Sequence, residues 1–186
     1  MRSKYLTASF AIAFTVLSAC SAKYRSEYID GSKTQLDPAQ TVLIAVATDG
    51  GYGSTPGFGS GQFTTKQTAL AFAKHAKQVE IADAKLHGRD ELLMAARNTG
   101  AGYLVIPTVA SWEHRATEWS GRRSHASIGM VVIAVPTGEQ ISAVLLDGFS
   151  RKMTLTSTSP ESVTPHLIGG YVNRLYAGKD AAQGEQ

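Results

Sequence analysis

Apolar positions change their period several times along the chain, and each change marks an element. Residues 41–48 (TVLIAVAT) form a short β-branched apolar run, the pattern of a buried strand. Residues 49–62 contain six glycines and read as loop. Thr64 and Gln67 then stand at capping-box spacing. Ala69, Phe72, Ala73 and Ala76 recur at helical intervals, so the spacing predicts an amphipathic helix over 65–78. A short strand is expected over 79–82. Asp90 and Glu91 suit the first turn of a second helix, Leu92, Leu93 and Ala96 its apolar face, and Gly100 its end. Residues 103–106 predict another buried strand, with Pro107 marking its end, a bulge or a sheet edge.

Beyond Pro107 the period becomes two. Residues 109–119 read as an extended arm. Ala126, Ile128, Met130, Val132 and Ala134 share one face of a strand over 125–135. After a turn at 136–139, Ile141 to Ser150 alternate again, so the two runs predict a hairpin. Ser159-Pro160 or Thr164-Pro165 opens a last helix whose stripe is Leu167, Ile168, Tyr171, Val172 and Leu175. Gly169 and Gly170 within it suggest close backbone packing or a kink. The order β-α-β-α-β-(β)-β-β-α predicts an α/β domain over 41–176: one mixed sheet with packed helices. A polar tail, 177–186, follows and is expected to be disordered.

The N-terminus carries a different signal. Arg2 and Lys4 precede an uncharged stretch, residues 6–16, and small residues lead to Cys20, the chain's single cysteine. A positive start, an apolar core and a small-residue cleavage site describe a secretory signal peptide, residues 1–19. Leu17-Ser18-Ala19-Cys20 also resembles the lipobox of bacterial lipoproteins. That resemblance implies a diacylglyceryl thioether on Cys20, and cleavage there frees an amine that is usually acylated as well. Two or more chains make a stable anchor where one holds weakly. Ser21 stands where aspartate is the usual retention signal, so the resemblance implies the periplasmic side of a Gram-negative outer membrane. Residues 20–40 read as lipidated cysteine and polar tether, with local structure near Tyr24 and Tyr28.

Charge then changes meaning. The full chain has 18 Lys and Arg against 15 Asp and Glu. Losing Arg2 and Lys4 with the signal leaves 16 basic side chains against the same 15 acids. A near-neutral mature surface gives no support for nucleic-acid binding.

Two segments carry candidate chemistry. The glycine-rich loop lies between a strand and a helix, the context for phosphate binding at a helix N-terminus. Its glycines fit neither G-x-G-x-x-G nor a P-loop, so a surface loop or a peptide or glycan contact outranks a nucleotide. Tyr52 and Phe58 there are candidate interface anchors. The segment Trp112-Glu-His-Arg-Ala-Thr-Glu-Trp119 holds both tryptophans of the chain. Trp112, Glu113, Arg115, Glu118 and Trp119 are candidate binding residues, tryptophan and arginine being favoured at hot spots. As a strand it would place Trp112 and Glu118 on one face, Glu113, Arg115 and Trp119 on the other. The competing reading is a solvated strand edge with cross-strand ion pairs. The five histidines show no paired metal spacing, and no cofactor, metal or catalytic residue is expected.

Residues 95–109 (AARNTGAGYLVIPTV) are similar to a unit of envelope proteins with the TolB amino-terminal type of α/β domain. Those include the curli-secretion lipoprotein and the lipoprotein activators of penicillin-binding proteins. The Trp112–Trp119 segment resembles more narrowly an uncharacterised family of small Gram-negative lipoproteins, over about residues 41–176. The wider resemblance implies binding of envelope proteins, and with no catalytic motif in the residues the reading is a non-enzymatic protein that binds or regulates another envelope protein. The alternatives are an envelope hydrolase using Glu113 and Glu118, and an accessory subunit of a secretion or surface assembly.

Overall fold

A computed structural model of the chain describes residues 22–30, 35–114, 123–150 and 159–177. The segment read as a signal peptide, Cys20 and the residues from 178 onward lie outside the described residues, as do Arg115, Glu118 and Trp119. The architecture is mixed α/β. In chain order it runs β1 (Lys23–Asp30), β2 (Thr41–Ile44), β3 (Gly51–Tyr52), β4 (Thr55–Pro56), α1 (Ser60–Phe72), β5 (Gln78–Ile81), α2 (Arg89–Asn98), β6 (Tyr103–Glu113), β7 (His125–Ala134), β8 (Glu139–Phe149), a 3-10 turn (Pro160–Ser162) and α3 (Thr164–Ala177). Six strands form one sheet in the order β1-β8-β7-β6-β2-β5, and β3-β4 is a small separate hairpin. The parallel strands β6, β2 and β5 occupy one side, and the β6-β7-β8-β1 meander is antiparallel.

Helices cover the sheet from both sides. Phe72 of α1 and Leu167, Ile168, Tyr171, Val172 and Leu175 of α3 pack on Val42, Ile44, Val105, Ile128, Met130 and Leu146. Leu92 and Ala96 of α2 pack on Leu43, Leu104 and Ile133 of the other face. The α3 stripe is the one its periodicity predicts. α2 also ends as expected: Gly100 takes φ +70°, its N–H donates to Arg97 O, and Ala101 N–H donates to Ala96 O. This paired closure satisfies carbonyls that the helix leaves open.

Two expectations are corrected and two are narrowed. The stretch read as a tether contributes an edge strand: β1 pairs with β8 from Lys23 opposite Phe149 to Asp30 opposite Ala143. Its polar, charged alternation suits a sheet edge rather than a core. Of the three readings of Pro107, the strand end falls, because β6 is one strand from Tyr103 to Glu113, and the sheet edge stands. Val105 O accepts from Ala45 N–H on the β2 side. Pro107, two residues on, turns its missing donor toward the same side, where β2 has already stopped. α1 starts at Ser60 and buries Ser60, Gly61, Thr64, Thr65 and Thr68 together with Phe72. The most buried stripe is small and hydroxylic, so the alanine pattern misplaces the start and catches only part of the face: Phe72 is buried and Ala69 and Ala76 pack on the core, while Ala73 is exposed. Finally, Gly169 has no neighbour within 4 Å of a built Cβ, and Gly170 meets only the flexible Arg174 side chain, so neither marks close packing.

Candidate functional site

The glycine-rich loop is a packed structure. Asp49 Oδ1 accepts from Gly61 N–H at 2.7 Å and Oδ2 from Gly59 N–H at 2.9 Å. Ser60 Oγ accepts from Gly50 N–H at 3.0 Å, and Gly57 N–H donates to Gly50 O at 2.7 Å. Four of its glycines are sterically required: a Cβ would sit 2.5 Å from Val109 Cγ1 on Gly50, 2.5 Å from Thr55 O on Gly51, 2.9 Å from Trp112 Cδ1 on Gly57 and 2.3 Å from Ala47 O on Gly61. Thr65 Oγ1 ties the helix to the preceding strand, accepting from Ala47 N–H and donating to Gly61 O. The N-terminus of α1 therefore already holds an anion, the carboxylate of Asp49. A bound phosphate would have to displace it.

The locked loop displays two aromatics. Phe58 is 85% exposed and Tyr52 53%. Beside it, where the chain leaves β2 and β5, lies a hollow of about 730 Å³. Its lining includes Val46, Gly59, Phe63, Lys66, Ile81 and Ala84. Val46 and Ile81 are exposed despite being apolar. That size and lining fall within the range of ligand and peptide pockets. Sequence periodicity did not point to Val46, Lys66 or Ile81, because a hollow is made by strand ends and a helix start that only the fold brings together.

The tryptophan segment divides differently from expectation. Trp112 is buried at 2% exposure, packed with Val109, Ala126 and Val163 and edge-on to Phe63 at 6.0 Å. Its indole N–H donates to His114 Nε2 at 3.2 Å, and that nitrogen lies 3.5 Å from Glu161 Oε1. Trp112 is thus a core residue, and a partner cannot reach it without opening the domain. Glu113 is also buried, on the opposite face. Strand register places it beside His125, and His125 beside Phe149. His125 Nδ1 lies 4.0 Å from Glu113 Oε1, and its Nε2 3.2 Å from Asp147 Oδ1. The imidazole stacks on Phe149 at 4.5 Å. This Glu113–His125–Asp147 cluster is separate from the hollow, whose lining omits all three. Sequence reasoning missed it because it spans three strands, and a bulge between Val132 and Ile133 breaks simple counting across the hairpin.

Among the described residues, no group of three or more His, Cys, Asp or Glu is placed to hold a metal ion. No described helix is long and apolar enough to cross a membrane.

What the fold and the hollow define is a small mixed α/β domain with a capped glycine loop at one end of its sheet. The chain belongs to the family of the domain of unknown function DUF4823, which matches residues 34–175. No curated protein matches it. Among solved structures it is similar to the PelC dodecamer from Paraburkholderia phytofirmans, at 18% identity and a TM-score of 0.60, covering 86% of this chain and 100% of that one. It is also similar to the protein CT253 from Chlamydia trachomatis, at 11% identity and a TM-score of 0.50, covering 75% and 97%. The C-terminal domain of LpoB from Salmonella enterica matches at 17% identity and a TM-score of 0.43, covering 58% and 81%. The first two likenesses are likenesses of fold.

Proposed function

We propose that the protein is a periplasm-facing outer-membrane lipoprotein, held by lipid on Cys20, that binds or regulates another cell-envelope protein and catalyses no reaction. The observation that carries the binding role is Phe58. A phenylalanine 85% exposed on a loop fixed by Asp49 is an anchor presented at little entropic cost. Tyr52 on the same loop and the apolar hollow with Val46, Phe63 and Ile81 extend that surface. Lys66 at the hollow would favour a partner segment that is apolar with one acidic group. The lipobox supports the anchor, and serine after Cys20 supports the outer-membrane destination.

The test is site-specific photo-crosslinking in living cells. A photoreactive residue in place of Phe58 should give a discrete crosslinked protein band, and one in place of Thr137, on the β7–β8 turn, should not. The band formed through position 81 should fade when Phe58 and Tyr52 become alanine. Equal labelling from positions 58 and 137 would sink the binding surface.

A further inference from the structure

The distance between the anchor and the fold is fixed by covalent geometry. Only Ser21 and Ala22 separate Cys20 from Lys23, where β1 begins. Three chain steps reach at most about 11 Å. There is no slack beyond Lys23, because that residue is already in register with Phe149 of β8. A chain that leaves lipid at Cys20 therefore enters the sheet almost at once. The end of the sheet that starts at Lys23 must lie where the acyl chains enter the bilayer.

The side chains at that end suit such a surface. Lys23 has no acidic partner among the described residues, whereas the next cation, Arg25, lies 3.6 Å from Glu27 and opposite Asp147. Phe149, opposite Lys23, is 39% exposed. Tyr24 is 49% exposed and lies against His166 at 5.9 Å between ring centres. An unpaired lysine flanked by two half-exposed aromatic rings is the chemistry of a headgroup interface, with cation toward phosphate and rings at the level of the glycerol.

We infer that this end of the sheet, led by Lys23 with Tyr24 and Phe149 beside it, docks directly on an anionic phospholipid surface. The domain does not hang from a free tether. The inference rests on the reading of Cys20 as the lipidated residue. It adds an orientation: the β7–β8 turn at residues 135–138 stands at the opposite end of β7, about 30 Å from the bilayer for ten strand residues.

The test uses the full-length, lipidated protein in phosphatidylcholine vesicles with and without phosphatidylglycerol. The lipid consumes the sulfur of Cys20, so one introduced cysteine is a unique thiol. A fluorophore is placed at Phe149→Cys or at Thr137→Cys, and quenching by a nitroxide on the lipid headgroup is read. Lys23→Cys is a second reporter should Phe149→Cys fail to fold. Quenching at position 149 should exceed that at 137 roughly threefold or more, given the separation along the strand. A flexible Gly-Ser insert between Ala22 and Lys23 should erase the difference. Lys23→Glu should weaken quenching at 149 only on vesicles containing phosphatidylglycerol. Vesicle flotation separates two failures. Protein that floats but is quenched equally at both positions overturns the docking. Protein that does not float overturns the anchor reading and the docking with it.

Discussion

Asp49 Oδ1 accepts a 2.7 Å hydrogen bond from the backbone N–H of Gly61, twelve positions along the chain. This bond, with its partner to Gly59, makes the glycine loop a rigid platform and closes the start of α1 to outside anions. Asp49→Ala should therefore cost about 1–2 kcal/mol, the upper part of the range for losing a helix cap. Asp49→Asn, which keeps one acceptor, should cost less. Urea unfolding of the two variants checks the order. Inorganic phosphate should leave the melting temperature of the unaltered protein unchanged beyond its general salt effect.

Trp112 and Phe58 should behave as opposites. Trp112→Ala empties a buried site against Phe63, Ala126 and Val163, and should cost about 3–5 kcal/mol. Phe58→Ala should change stability by about 0.5 kcal/mol or less, since the ring touches mainly solvent. Chemical denaturation measures both. Partner capture should be lost in Phe58→Ala while the protein remains folded.

The meander was largely legible from sequence, and the reasons are local. Ala126, Ile128, Met130 and Val132 alternate with less buried neighbours along β7, and a strand half-covered by helices writes that period into its residues. α1 was not legible in the same way. Its buried face is Thr64, Thr65 and Thr68, and the last two satisfy their hydroxyls on carbonyls one turn back, at Gly61 and Thr64. Buried polar groups satisfied within their own helix carry no hydropathy signal. β1 hid for a related reason: KYRSEYID is polar because the strand lies at an edge. Of the candidate site, the exposure of Tyr52 and Phe58 was legible. The burial of Trp112 was not, since an isolated tryptophan beside charges looks alike on a surface and under a loop.

Tyr176 gives the domain a pH limit. Burial, followed by the nearby Tyr103 and Asp37, pushes its hydroxyl from 10.0 up to about 12. The fold thus favours the neutral phenol, which stacks on His75 at 4.9 Å. The unfolded chain releases this proton near pH 10.0 and the folded chain only near 12. The stabilisation is complete below the lower value and is lost as pH rises through the interval. Stability measured by urea unfolding should fall across that window in the unaltered protein. In Tyr176→Phe the part of the decline due to this group should vanish.

Anchor, partner surface and docked orientation all depend on what happens at Cys20. The most direct measurement is the mass of the N-terminal peptide of the protein extracted from cell membranes. The account predicts a chain that has lost residues 1–19 and begins at Cys20, with a diacylglyceryl group on its sulfur and an acyl group on its amine. A mature chain that begins elsewhere, or one whose Cys20 carries a free thiol, would contradict it.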